Sequence, residues 1–143
     1  MANQLQVQAA DEYRPGENEP YMNARQLAYF RRKLVEWRAE LLAESAKTRE
    51  LMRMEKLRET DLVDQGFSET ESAFELRTRD RYRKLIKKID AALERIDDGS
   101  YGYCEETGEE IGLKRLEARP IATLCVEAQE RHERMEKLQR VSE

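Results

Sequence analysis

The sequence predicts a mainly α-helical protein, in which a long antiparallel coiled-coil hairpin is joined to a small globular domain with a degenerate zinc knuckle and a C-terminal helix. Three observations support this fold class. Apolar residues recur at alternating steps of three and four along two long segments. Four of the six glycines fall between residues 99 and 112, where this periodicity ends. Charged residues make up 39% of the 143 residues and aromatic residues 7%, which favours long exposed helices over a large spherical core.

The first helix is predicted over residues 24 to 58. Asn23 is a favourable N-cap, and Gln26, three positions later, completes a capping box. The apolar seam of this helix consists of Leu27, Phe30, Leu34, Trp37 and Leu41. The same register continues through more polar positions, so we expect the hairpin to pack most firmly at its base.

The second helix is predicted over residues 69 to 98. Gly66 serves as the turn residue before it, Ser68 with Glu71 forms another capping box, and Gly99 ends the helix. Its seam consists of Phe74, Thr78, Tyr82, Leu85, Ile89, Ala92 and Ile96. Two helices of similar length joined by a short loop fold back as an antiparallel hairpin.

The chain is therefore predicted to have three parts. Residues 1–22, with two prolines and a glycine, form a flexible N-terminal tail. Residues 23–98 form the coiled-coil hairpin, with its tip at residues 59–68. Residues 99–143 form the knuckle-like globular domain, in which the last helix covers residues 123–140. We expect a monomer, because the hairpin satisfies its own seam.

Charge and composition exclude several function classes. A net charge of −4 argues against a protein that mainly holds nucleic acid, so we expect no sequence-specific DNA binding. No apolar run approaches the roughly 18 residues that span a bilayer, and the N-terminus lacks the regions of a signal peptide. We therefore expect a cytoplasmic protein without membrane contact. The single histidine and the absence of catalytic motifs predict that the protein is not an enzyme.

The segment YCEETGEEIGLKRLEARPIATLCVEA, residues 103–128, has the spacing of a zinc knuckle. Structural zinc takes four ligands, and knuckles place them in pairs two residues apart. Cys104 and Cys125 open the two pairs, but Thr107 and Ala128 stand where thiolates are expected. Since threonine is a poor zinc ligand and alanine cannot bind, we expect a metal-free knuckle filled by these two residues and apolar neighbours.

The two cysteines also leave another function class open. A knuckle brings the thiols of Cys104 and Cys125 close together, so a thiol redox sensor or a metal-handling protein remains an alternative. Without an export signal the expected compartment is reducing, where a structural disulfide is not expected.

Two charged features have a functional interpretation beyond a solvated surface. Asp61 and Asp64 lie in the predicted tip, where a thin hairpin presents acids that can enter a narrow channel and approach Mg²⁺ or basic groups. The run RTRDRYRKLIKK, residues 77–88, is mostly an exposed helix face. Together with the basic residues near Arg119, part of this run can bind a highly phosphorylated small anion.

The strings YMNARQLAYFRRKL, FELRTRDRYRKLIKKID and GSYGYCEETGEEIGLKRLEARPIATLC resemble the DksA family of bacterial RNA polymerase regulators. The resemblance covers about residues 20–140. It implies a protein that binds RNA polymerase and inserts its coiled-coil tip into the secondary channel. It also implies that, with ppGpp as co-regulator in the stringent response, the protein destabilises initiation complexes, inhibits ribosomal RNA promoters and activates some others.

The resemblance also implies roles for particular residues. The two tip acids of the family fall on Asp61 and Asp64, and the small residue beside them, alanine in the best-known members, falls on Gly66. The ppGpp contacts fall on Leu85, Lys88 and Arg119. A further basic ppGpp contact falls on Gln129, so one positive partner is absent.

At the knuckle the resemblance is to the zinc-independent paralogues of the family. These carry the set found here, namely Cys104, Thr107, Cys125 and Ala128, whereas typical members have four cysteines. The resemblance therefore implies function without a zinc cofactor. Two alternatives use the same architecture: a transcript-cleavage-type factor, which also sends acids down the channel, and a structural coiled-coil adaptor.

Overall fold

A computed structural model describes residues 13–59 and 65–142. Its helices are α1 (Ala24–Glu59), α2 (Gln65–Asp98), α3 (Leu113–Ala118) and α4 (Val126–Ser142). Within the described ranges the only β-type pairing is an isolated bridge between Tyr103 and Glu110. The predicted mainly α fold with a long helical hairpin is confirmed.

Helix α1 begins as the capping pattern predicts. Oδ1 of Asn23 accepts a hydrogen bond from the backbone N–H of Gln26 at 2.9 Å. In return, Oε1 of Gln26 accepts from the backbone N–H of Met22 at 2.8 Å, one residue before the cap. Two N–H groups at the helix start are thereby satisfied, which explains why α1 starts at Ala24.

Helix α2 begins earlier than predicted. It starts at Gln65, so Gly66 lies in its first turn and Ser68 lies inside the helix. The predicted turn at Gly66 and the predicted cap at Ser68 were therefore wrong. A helical glycine costs only about 1 kcal/mol relative to alanine, which additional helical hydrogen bonds offset. The tip acids Asp61 and Asp64 lie outside the described residues.

Helix α2 ends as predicted. Gly99 follows its last residue with φ 86°, the left-handed conformation that glycine adopts most easily. The N–H groups of Ser100 and Tyr101 then donate to the carbonyl of Arg95 at 3.0 and 3.1 Å. These bonds satisfy the helix end and direct the chain into the globular domain.

The described chain forms two compact units. One contains the residues up to Lys33 and those from Ala92 onward, and the other is Leu34–Ala91. Helices α1 and α2 contribute to both units. The predicted domain boundaries after residues 22 and 98 differ from this division and stay predictions.

In the unit Leu34–Ala91, burial of the seam falls along the helices. Leu34, Leu41 and Ile89 are buried. Leu51 and Phe74 occupy seam positions nearer the connection between the helices, and they are 62% and 70% exposed. The expected change from a packed base to an open far part is therefore confirmed within this unit.

The other unit has a core built from all four helices and the knuckle. Its buried apolar residues are Phe30, Ala92, Ile96, Tyr101, Cys104, Ile111, Leu116, Cys125 and Ala128. The Tyr101 hydroxyl donates to the carbonyl of Pro120 at 2.8 Å, so this buried tyrosine has its polar atom satisfied. Across the described residues, no helix combines the length and apolarity needed to cross a membrane.

Residues 13–22, which belong to the segment predicted as a tail, contact this core. The hydroxyl of Tyr21 donates to the carbonyl of Gly102 at 2.6 Å and accepts from the N–H of Gly112 at 3.0 Å. The side chain of Met22 lies over Gly102, where a Cβ would approach Met22 Cγ to 2.8 Å. Tyr21 in this segment therefore supplies hydrogen bonds to the globular domain.

The buried amide of Gln26 extends these contacts. Its Nε2 lies 3.4 Å from both the carbonyl oxygen of Gly16 and Oε2 of Glu19. Glu19 also accepts from the hydroxyl of Tyr13 at 2.5 Å. Because Gln26 is fully buried, these partners satisfy a polar group that water does not reach.

Candidate functional site

The knuckle is formed by the loop before α3, by the residue that precedes α4 and by the first turn of α4. The N–H of Cys104 donates to the carbonyl of Glu109 at 2.7 Å, and the N–H of Gly108 donates to the carbonyl of Cys104 at 2.9 Å. Cys125 accepts from the N–H of Gln129 at 3.0 Å through its carbonyl. Both cysteines are buried free thiols.

The hydroxyl of Thr107 contacts the sulfurs of both knuckle cysteines. Thr107 Oγ1 lies 3.9 Å from Cys125 Sγ and also hydrogen-bonds Cys104. Ala128, one turn along α4 from Cys125, is fully buried as expected for the knuckle interior. Thr107 itself is exposed. It therefore directs its hydroxyl toward the sulfurs from the surface and does not fill the interior.

Hydrogen bonds control the protonation of Cys104. Burial alone would raise its pKa. The sulfur, however, accepts from the Thr107 hydroxyl and from the backbone N–H groups of Cys125, Thr107 and Glu106, and these bonds lower the pKa to about 6. At neutral pH the Cys104 thiolate is thus stabilised by donors of the knuckle.

The donor set does not fit a zinc ion. A structural zinc site requires four ligands, and Ala128 offers no donor atom. The Thr107 hydroxyl is already bonded to the sulfurs and accepts from the N–H of Glu109 at 3.2 Å. The single histidine, His132, contacts Glu106. Over residues 13–59 and 65–142, no group of three metal-binding side chains converges.

The residues predicted from the family resemblance to contact ppGpp lie on two elements. Leu85 and Lys88 are three residues apart on α2, in the unit Leu34–Ala91; Leu85 is half-buried and Lys88 exposed. Arg119 is the C-cap of α3 in the other unit and is exposed. At position 129, where the family resemblance predicts a basic contact, Gln129 places Nε2 3.3 Å from Oε1 of Glu133 on α4.

A groove between α1 and α2 was not predicted. It encloses about 460 Å³ in the unit Leu34–Ala91. Its charged lining residues are Arg49, Arg79, Asp80, Arg83 and Lys87. The spacing of four between Arg79, Arg83 and Lys87 was visible in the sequence, but the contribution of α1 required the pairing of the helices.

Two family models match the chain. Residues 26–96 match the N-terminal domain of DnaK suppressor protein DksA. Residues 99–134 match the prokaryotic dksA/traR C4-type zinc finger. The second match covers a segment that keeps two of the four cysteines.

Relatives extend the match to most of the chain. It is 62% identical over 129 residues to the RNA polymerase-binding transcription factor DksA of Caulobacter vibrioides, covering 90% of this chain and 91% of that protein. It is 46% identical over 123 residues to the protein of the same name from Escherichia coli K12, covering 86% and 82%. The solved structure of transcription factor DksA2 from Pseudomonas aeruginosa matches with a TM-score of 0.78 and 40% identity, over 92% of this chain and 98% of that one. The chain therefore belongs to the DksA family.

Proposed function

We propose that this protein regulates transcription by binding RNA polymerase and inserting the tip of its coiled-coil hairpin into the secondary channel. The observation that carries the proposal is the joint presence of the α1–α2 hairpin and the knuckle, matched at 62% identity by a protein named as an RNA polymerase-binding transcription factor. The protein acts by contact with the polymerase, as a monomer in the bacterial cytoplasm, without sequence-specific DNA binding and without catalysing a reaction.

The tip acids perform the regulatory step. At 1.5 Å per residue, the 36-residue α1 is about 54 Å long. Asp61 and Asp64 fall in the sequence between α1 and α2, so the connection between the helices delivers two carboxylates. Carboxylates near the polymerase active site interact with basic side chains or Mg²⁺. Through them the protein destabilises initiation complexes, which inhibits ribosomal RNA promoters and activates some others.

The co-regulator ppGpp binds where protein and polymerase meet. The exposed Arg119 and Lys88 offer a guanidinium and an ammonium for phosphate oxygens, and Leu85 provides an apolar contact. The polymerase supplies the remaining contacts. The protein works without zinc, because its knuckle is closed by hydrogen bonds around Cys104.

The experiment is transcription in vitro from a ribosomal RNA promoter, with purified RNA polymerase, with and without ppGpp, in a zinc-chelating buffer. We expect inhibition that survives chelation and deepens with ppGpp. Asp61→Asn and Asp64→Asn should each abolish inhibition while polymerase binding is kept. Asp97→Asn is the matched control: it removes the same charge at the opposite end of α2, where the exposed pair with Arg31 contributes little.

The outcomes separate the alternatives. Inhibition by both tip variants at the wild-type level would refute the acid mechanism and favour a structural adaptor. Cleavage of the transcript in stalled complexes would indicate a cleavage-type factor. Absence of inhibition by wild-type protein that demonstrably binds polymerase would refute the proposal as a whole.

One observation favours a second candidate function. The Cys104 thiolate accepts from the N–H of Cys125, so the two cysteines are neighbours in the knuckle. A peroxide can oxidise both thiols to one disulfide and is itself reduced to water, which would make the protein a redox sensor. In the wild type, peroxide should abolish inhibition and dithiothreitol should restore it. In Cys104→Ser, inhibition should not respond to peroxide. Both results together would establish this function.

A further inference from the structure

The basic run of α2 has two faces, and the proposed ppGpp contacts use one of them. Arg79, Arg83 and Lys87 follow at steps of four and so form a stripe along the helix. This stripe lines the groove between α1 and α2, whereas Leu85 and Lys88 do not. The stripe therefore faces a site that the proposed function leaves unused.

The groove carries an excess of positive charge. Four basic residues line it, namely Arg49 from α1 with Arg79, Arg83 and Lys87 from α2. Asp80 is the one acid among the lining residues that the structure describes. Its carboxylate lies 3.5 Å from Arg83 Nη2 and 3.0 Å from Lys84 Nζ, so its charge is divided between two partners. The remaining positive charge of the groove favours the binding of an anion.

The size and walls of the groove favour a small phosphorylated ligand. Its volume of about 460 Å³ falls in the range of small-molecule sites, which runs from roughly 300 to 1,000 Å³. A guanidinium group can donate two parallel hydrogen bonds to the oxygens of one phosphate. Residues four apart on a helix are separated by about 6 Å along its axis. A chain of phosphates bridges that spacing. Tyr82 and Ile86 line the same groove and offer an aromatic face and an apolar contact for a base.

We propose that this groove binds a nucleotide through its polyphosphate chain. Arg49, Arg79, Arg83 and Lys87 hold the phosphates, and Tyr82 contacts the base. The site uses residues other than those proposed for ppGpp and lies within a single unit of the protein. Binding therefore requires no polymerase.

The first test is a calorimetric titration of the full chain, in low-salt buffer without polymerase, using tripolyphosphate, GTP, ATP, guanosine and adenosine. We expect both nucleotides and tripolyphosphate to bind, and neither nucleoside to bind. Tighter binding of a nucleotide than of tripolyphosphate would assign the site to nucleotides. Equal affinities for the nucleotides and for tripolyphosphate would overturn the proposed base contact and would indicate that the groove binds inorganic polyphosphate.

Three variants test the placement of the ligand. Arg83→Gln should weaken tripolyphosphate binding about tenfold, the cost of losing one charge-assisted contact. Arg81→Gln removes the same charge from the same helix outside the groove and should change binding less than about twofold. Asp80→Asn should strengthen binding, because it removes the carboxylate that competes for Arg83. Unchanged circular dichroism would show that all three variants remain folded.

The proposal is overturned if wild-type protein does not bind tripolyphosphate, or if Arg81→Gln weakens binding as much as Arg83→Gln does. Preferential binding of an oligo-glutamate peptide over tripolyphosphate would also overturn it and assign the groove to an acidic protein partner. Since no polymerase is present, failure here does not bear on the transcription experiment, and failure there does not bear on this titration.

Discussion

The hydroxyl of Thr107 lies 3.9 Å from the sulfur of Cys125, at a knuckle position where a C4-type zinc finger has a thiolate. The same hydroxyl bonds Cys104, so one uncharged group connects both sulfurs. In a zinc knuckle the cation compensates the thiolate charge. Here hydrogen-bond donors stabilise the Cys104 thiolate, and this difference has consequences for metal binding and for pH dependence.

Restoring the missing thiols should create a zinc site. The double variant Thr107→Cys with Ala128→Cys is expected to bind one zinc per chain, and chelation should then lower its melting temperature. The wild type should contain no stoichiometric zinc, and its melting temperature should not respond to chelation. Metal analysis with thermal melts checks both. Ala128→Cys alone is the control for overpacking a fully buried position, which costs about 1–3 kcal/mol.

The Cys104 thiolate should make folding stability depend on pH. Its pKa in the folded protein is about 6, below the value of 9.0 for a free thiol. The folded state thus releases this proton more readily, and the stabilisation is fully present above pH 9 and lost as pH falls through 6. The difference in unfolding free energy between wild type and Cys104→Ala should shrink over this range. The ultraviolet absorbance of the thiolate should decrease over the same pH range. If the difference in unfolding free energy between wild type and Cys104→Ala did not depend on pH, the prediction would be contradicted.

The phenol of Tyr21 should stabilise the globular domain. Tyr21→Phe removes the bonds to Gly102 and Gly112 and leaves a carbonyl and an N–H without this partner. We expect a loss of about 1–3 kcal/mol in unfolding free energy, measured with urea. Tyr103→Phe is the matched control, since this ring packs edge-on against Tyr21 but is 38% exposed. Equal losses in the two variants would refute the role of the Tyr21 hydroxyl.

Residues 13–20 should contribute to stability. Removing residues 1–20 takes Gly16 and Glu19 away from the buried amide of Gln26, which then lacks two partners. The melting temperature should fall relative to the full chain. Removing residues 1–12 keeps the contacts of Gly16 and Glu19 with Gln26 and serves as the control. Identical melting of both truncated proteins would show that the segment 13–20 is dispensable.

A basic residue at position 129 should increase the response to ppGpp. Gln129→Lys introduces a positive charge where the family resemblance predicts a further basic ppGpp contact, next to Glu133 on α4. We expect deeper inhibition with ppGpp and unchanged inhibition without it, in the transcription experiment. Gln139→Lys, nearer the end of α4, adds the same charge as a control. An equal gain from both variants would indicate a general charge effect.

Local chemistry made much of this protein predictable. The start of α1 follows from two local hydrogen bonds, one between the N–H of Gln26 and the side chain of Asn23 and the other between the N–H of Met22 and the side chain of Gln26. The end of α2 follows from the conformational freedom of Gly99. The prediction of a metal-free knuckle rests on the identity of Ala128, which has no donor atom. The start of α2 was missed because Gly66 was interpreted as a turn residue, although the cost of one helical glycine is small.

The sequence by itself determined the presence of the two long helices, the seam with its loss of apolar residues, and the family, because each depends on residues close together in the chain or on residue identity. The tertiary structure decided what depends on distant residues. Tyr21 bonds carbonyl and N–H groups that lie 81 and 91 residues away. The groove combines Arg49 of α1 with Arg83 of α2. The Cys104 thiolate is stabilised by donors from two segments of the knuckle. Such contacts arise only when folding brings separate segments together, and periodicity or composition carries no record of them.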